Sequence, residues 1–157
     1  MRNVLSIDPS IAKCAVVVWN DNVPIFWEVF KSGGIECKKK LKSVTYFEKE
    51  VDKIDFISDN IISVVNEYNV EKVILEGLAL NAVGNATRSL AGLYYVLLHK
   101  LKQLDLVEPE NIVVISPTQV KSKARLLMEN NGEVETVNDK GKVKKSKIKM
   151  DKHVMTS

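Results

Sequence analysis

The hydrophobic pattern of this chain changes period once, and that change limits the fold more than any other feature. Before residue 31 the apolar residues come in three short runs. They are 3–8 (Asn-Val-Leu-Ser-Ile-Asp), 14–19 (Cys-Ala-Val-Val-Val-Trp) and 23–30 (Val-Pro-Ile-Phe-Trp-Glu-Val-Phe), separated by Asp-Pro-Ser and Asn-Asp-Asn. Runs this short, bounded by turn formers, predict an antiparallel meander, with Pro24 at a strand start or edge. After Gly33-Gly34 and a polar stretch, the period becomes helical. Leu41, Val44, Phe47, Val51, Ile54, Ile57, Ile61, Val64, Val65 and Tyr68 recur at spacings of three and four and predict one long amphipathic helix. A strand over 71–76 follows, stopped by Gly77. A second helix over 85–103 carries Leu90, Leu93, Tyr94, Leu97, Leu98 and Leu101 on one face. Residues 111–115 form another strand, and Ser116-Pro117 starts a third helix running to about Asn130. Residues 131–146 read as a lysine-rich hairpin around Asn138-Asp139-Lys140-Gly141, or as a loop, and a last, incomplete helix begins near Lys147.

This order implies an α/β fold: a five-stranded mixed sheet with helices on both faces, in a single domain spanning 1–157. A chain of 157 residues buries enough surface to fold without staples. Cys14 and Cys37 are too few for a disulfide framework, and no CxxC or His/Cys cluster suggests zinc. Trp19 and Trp27, on neighbouring strands, read as core, and His99 as a semi-exposed helix residue. Gly84, Ala91 and Gly92 would let a partner helix approach closely. The N-terminus meets a charge and a proline before any signal core, and no apolar run reaches spanning length, so a soluble cytoplasmic protein with no membrane partner is expected. The net charge of +3 is unevenly spread. Residues 1–120 hold 13 basic and 15 acidic side chains, whereas 121–157 hold 10 and 5. A basic cluster of this kind is either a polyanion footprint or a solvated lysine face.

Two acids occupy comparable places: Asp8 ends the first strand and Glu76 ends the fourth predicted one. If those strands are neighbours, both carboxylates leave the same end of the sheet. Hard oxygen ligands on rigid strand ends suit magnesium, which keeps water and phosphate among its ligands. Two such ions roughly 4 Å apart could activate a water and stabilise the leaving oxygen of an in-line phosphodiester cleavage. Taken singly, Asp8 is also explained as a turn former in Asp-Pro-Ser, and Glu76 as a strand-end acid bound to a backbone amide.

The combination resembles the RuvC family of Holliday junction resolvases, whose fold is RNase H-like. Val4-Leu5-Ser6-Ile7-Asp8-Pro9-Ser10 before an apolar hairpin is similar to the family's opening motif, and Val73-Ile74-Leu75-Glu76-Gly77 to its second acid motif. Pro117-Thr118-Gln119-Val120-Lys121 resembles the segment ending in a DNA-contacting lysine. The stretch from Ser146 to Met155 resembles the lysine-bearing start of the last helix. The resemblance covers nearly the whole chain. It implies a homodimer that nicks four-way junctions with magnesium, manganese being a substitute metal; three-way branches and replication forks are open as further substrates. Asp8 and Glu76 would be the catalytic metal ligands, and Lys121, Lys145, Lys147, Lys149 and Lys152 would contact DNA.

The chain departs from the family in three places. Pro9-Ser10 replaces Pro-Gly. Gly77-Leu78-Ala79-Leu80 lacks the glutamine and aromatic wedge, which points to a relaxed, phage-type debranching enzyme in a bacterial host. The family's further aspartates follow the lysines on the last helix. Here Asp151 comes too early for that role, so those acids are expected past Ser157 or not at all. A non-catalytic branched-DNA-binding protein is the competing expectation. An actin-like phosphotransferase would need a second domain and a glycine-rich phosphate loop, and this chain has neither the length nor the loop.

Overall fold

The computed structural model describes residues 2–78, 84–104, 107–126, 133–137 and 143–147. Three strands, β1 (Asn3–Asp8), β2 (Lys13–Asn20) and β3 (Val23–Gly34), form the expected meander. The β2–β3 turn is Asp21-Asn22, both with positive φ (45° and 69°), the left-handed pair that two-residue hairpins need and that Asp and Asn tolerate.

The next element differs from the sequence expectation. Residues 41–49 are not helical; β4 (Thr45–Phe47) pairs in parallel with Ser32–Gly34 of β3, and helix α1 starts only at Glu50. The helical spacing of Leu41, Val44 and Phe47 is coincidental. Thr-Tyr-Phe is a β-branched and aromatic triplet that fits a pleated edge, and Leu41 remains 54% exposed. Gly33-Gly34 therefore ends a strand in which it also takes part. A Cβ on Gly33 would lie 2.8 Å from the Tyr46 ring, so glycine is what lets β4 close on β3. Gly33→Ala is expected to cost about 1–3 kcal/mol by overpacking, and pairing it with Tyr46→Ala should recover part of the loss in a chemical denaturation series.

From α1 (Glu50–Glu67) the chain enters β5 (Val70–Glu76), then α2 (Asn85–Lys102), a short 3₁₀ turn (Pro109–Asn111) and β6 (Ile112–Ile115). The sheet is mixed and flanked by helices, as expected, but has six strands rather than five, in the order β4-β3-β2-β1-β5-β6. β1, β5 and β6 run parallel, so the two acid-bearing strands are neighbours. Leu5, Ile7, Val16, Val18, Val73 and Leu75 point to one face, where they meet Ile57, Ile61 and Val65 of α1 and Leu93, Leu97 and Leu101 of α2. Each such residue contributes about 1.5–3 kcal/mol of burial. Gly92 serves this packing within the chain: a Cβ there would lie 3.1 Å from Cδ1 of Ile54 on α1.

The two helices are also tied by charge. Lys100 Nζ lies 2.7 Å from Asp59 and 3.3 Å from Asp55, and donates to the buried Ser58 hydroxyl at 2.8 Å. Burial opposes the ammonium charge, but the two carboxylates outweigh it and raise the Lys100 pKa above 10.5. A raised cationic pKa contributes stability that is complete below the unfolded value and is lost as pH rises through the folded one. The Tm difference between wild type and Lys100→Met should thus be constant from neutral pH to about 9 and vanish in strong alkali. The corresponding stability difference should be at most about 1 kcal/mol, as for other partly exposed pairs.

Contacts divide the chain into two compact units, 1–115 and 116–157. In the second, α3 (Pro117–Leu126) opens with reciprocal caps. Gln119 N–H donates to Ser116 Oγ at 3.2 Å, and Ser116 N–H donates to Gln119 Oε1 at 2.9 Å. In the lysine-rich segment β7 (Glu133–Val137) pairs antiparallel with β8 (Val143–Lys147), with Glu133 opposite Lys147 and Glu135 opposite Lys145. The continuation of the third helix past Leu126 and the last helix lie outside the described residues. No described helix is long and apolar enough to cross a membrane.

Candidate functional site

The parallel ladder between β1 and β5 pairs Ile7 with Leu75. Asp8 and Glu76 each come one residue later, at the same end of adjacent strands. Because side chains alternate, both point to the face opposite buried Ile7 and Leu75. Neighbouring strands lie about 4.8 Å apart, so the two carboxylates issue from backbones one strand spacing away. Asp8 is exposed and Glu76 half-buried.

Each acid sits on a fixed backbone. Asp8 pairs with Ala15 of β2, and the turn that follows is pinned from β3. Ser32, buried to 6% exposure, donates its backbone N–H to the Ala12 carbonyl at 3.1 Å and its hydroxyl to the Ile11 carbonyl. Ser10 Oγ accepts from Lys13 N–H at 3.3 Å. Glu76 pairs with Ile115 of β6, and Gly77 N–H donates to the Ile115 carbonyl at 2.8 Å. A Cβ on Gly77 would meet Val114 Cγ1 at 3.0 Å, so glycine keeps the chain close to β6 just past the acid. Ser32 is a positioning residue that sequence reading missed; only its place beside the two glycines distinguished it. Beneath the turn, burial pushes the Cys14 thiol up to about 11, with a hydrogen bond from Ser10 opposing and the Asp8 charge adding. Cys14 is a protonated core residue, and both cysteines are free thiols.

The other expected residues fall outside this pair. Lys121 is exposed on α3, and Lys145 and Lys147 are on β8, all in the second unit. Lys149, Lys152 and Asp151 lie outside the described residues. Trp27, expected in the core, is 70% exposed, and Trp19 is half-buried on the face away from the helices. In runs as continuously apolar as these, the sequence does not mark which alternate set faces inward. His99 is exposed on α2 beside Gln103, whose Nε2 lies 3.2 Å from the ring Nε2.

Among the described residues no cluster of three or more His, Cys, Asp or Glu side chains could hold a metal ion. What they supply is two hard carboxylates on adjacent strand ends. Magnesium is often held by one or two carboxylates and completes its shell with water and phosphate oxygens, so the pair fits part of such a site.

No family model matches the chain, and no curated protein matches it. Solved structures do. The Thermus thermophilus RuvC structure in complex with a Holliday junction substrate gives a TM-score of 0.59 at 16% identity, covering 84% of this chain and 74% of that one. Another T. thermophilus RuvC structure gives 0.47 at 17% identity, with 76% and 67% covered. An Aquifex aeolicus Ppx/GppA phosphatase gives 0.45 at 14% identity, with 86% and 44% covered. At these identities the likeness concerns the fold alone. The chain has a mixed α/β sheet flanked by helices, consistent with an RNase H-like fold.

Proposed function

We propose that this chain is a structure-selective endodeoxyribonuclease that cleaves Holliday junctions and other branched DNA by metal-dependent phosphodiester hydrolysis, acting as a homodimer. One observation carries the reading: Asp8 and Glu76 stand on adjacent parallel strand ends and face the same way. In this reading both carboxylates hold magnesium. When bound, the metal supplies a polarised water and charge neutralisation at the scissile phosphate. The protein's part is to fix the carboxylates, which the Ser32-pinned turn and the Gly77 backbone bond do. Lys121, Lys145, Lys147, Lys149 and Lys152 give phosphate contacts, which position the duplex arms without reading sequence.

The test is incubation of the protein with a labelled synthetic four-way junction and a linear duplex of equal length, in magnesium and in EDTA. Magnesium-dependent nicks confined to the branch support the proposal. A second reading, a non-catalytic branched-DNA-binding protein, is favoured by the absence of a third acid near the pair among the described residues. Tight junction binding with no cleavage in either magnesium or manganese would establish that reading instead.

A further inference from the structure

Away from the acids, the same face of the sheet carries a depression of about 580 Å³. Val4, Ile74 and Trp19 give it an apolar lining, Ser6 and Asn22 lie in its wall, and its charged lining residues are Arg2, Lys72 and Asp21. The indole is held in place: Trp19 Nε1 donates to Ser6 Oγ at 3.1 Å, so its one polar atom is already satisfied and its ring is left as an apolar surface. Arg2 is steadied by Glu71 at 3.0 Å, and among the described residues Lys72 has no ion-pair partner. A flat aromatic surface beside cations is the chemistry that holds an unstacked base and its phosphate.

We infer that this depression binds one unstacked nucleotide of single-stranded DNA, with its base on Trp19 and its phosphate on Lys72 and Arg2. DNA as the ligand rests on the proposed function. Val4 and Asp8 lie on the same strand and face, four residues or about 13 Å apart. With stacked nucleotides about 3.4 Å apart, a strand following β1 enters the depression about four nucleotides from the phosphate held at the acids. The site gives the enzyme a grip on an unpaired strand at a branch.

The experiment uses Trp27→Phe protein, in which Trp19 is the sole indole, titrated with octathymidylate in EDTA while Trp19 fluorescence is followed. Saturable quenching is expected. Neutralising one phosphate gives a salt slope of about −0.7, so binding should weaken about two- to three-fold between 50 and 200 mM salt. Lys72→Glu should weaken it at least five-fold with unchanged circular dichroism, and Asp21→Asn should strengthen it. The inference fails if octathymidylate leaves the emission unchanged, or if Lys72→Glu binds as well as its parent. It also fails if inorganic phosphate competes at equal concentration, which would leave an anion site only. An emission change that depends on protein concentration without DNA would assign the face to a second copy of the chain. Cleavage plays no part in this readout, so a wild type that quenches but never nicks removes the proposed function alone. One that nicks without quenching removes this inference alone.

Discussion

Asp8→Asn should lower the rate of magnesium-dependent junction cleavage by at least about a thousand-fold while leaving junction binding in EDTA within about two-fold. The magnitude follows from the role. A metal ion at a reacting phosphoryl group supplies several kcal/mol of transition-state stabilisation, and about 4 kcal/mol corresponds to a thousand-fold. Asparagine keeps the shape of the side chain and the turn chemistry of Asp-Pro-Ser, and removes only the negative charge that attracts the cation. The substitution therefore separates the two explanations of Asp8, because a turn former would tolerate it. Glu76→Gln should behave alike, and the double variant should be little worse than either single one, since groups that act as a unit lose their effect together. Single-turnover rates on a four-way junction measure all three. A variant at Asp8 that cleaves within ten-fold of wild type would remove the carboxylate from the chemistry.

That pair was legible in the sequence because its placement follows from strand ends and element order. Asp-Pro-Ser closes one apolar run, and Glu-Gly closes another. A helix between parallel strands then brings the two ends together. The S-P-T-Q start of α3 was also legible, since its cap is local. Less legible were features decided at a distance. Residues 41–47 carry a helical spacing, yet an edge of β3 made available by Gly33 and Gly34 draws Thr45–Phe47 into the sheet. Trp27 belongs to a run in which both alternate sets are mostly apolar (Val23, Ile25, Trp27 and Val29 against Pro24, Phe26, Glu28 and Phe30), and the packing of the helices on the other face decides its exposure. Ser32 gave almost no signal because its partners are the Ala12 and Ile11 carbonyls, 20 and 21 residues away in the β1–β2 turn. Gly92 was read as a contact for another chain, and its neighbour is Ile54 of α1.

Leu97→Ala should destabilise the protein by about 2–5 kcal/mol, a fall of roughly 5–15 °C in Tm for a chain of this size. Leu97 is 0% exposed in the middle of α2, flanked one turn on each side by Leu93 and Leu101, also 0% exposed. The three form the stripe that joins the core of α1 and the sheet. Truncation removes the transfer free energy of the lost carbons and leaves a cavity, because Gly92 already holds α2 against Ile54 and little further collapse is open to it. Differential scanning fluorimetry with a urea series at 25 °C measures the loss. A loss under about 1 kcal/mol would mean that α2 is not anchored by this stripe. Well below its lowered Tm, Leu97→Ala should cleave junctions within about two-fold of wild type, because the acids stand on β1 and β5 and not on the helix. Asp8→Asn should give the reverse, with Tm unchanged or raised, since removing one of two neighbouring carboxylates relieves like-charge repulsion. The opposed pattern, activity lost with stability kept and stability lost with activity kept, is what a site carried by sheet ends and a core carried by helices requires.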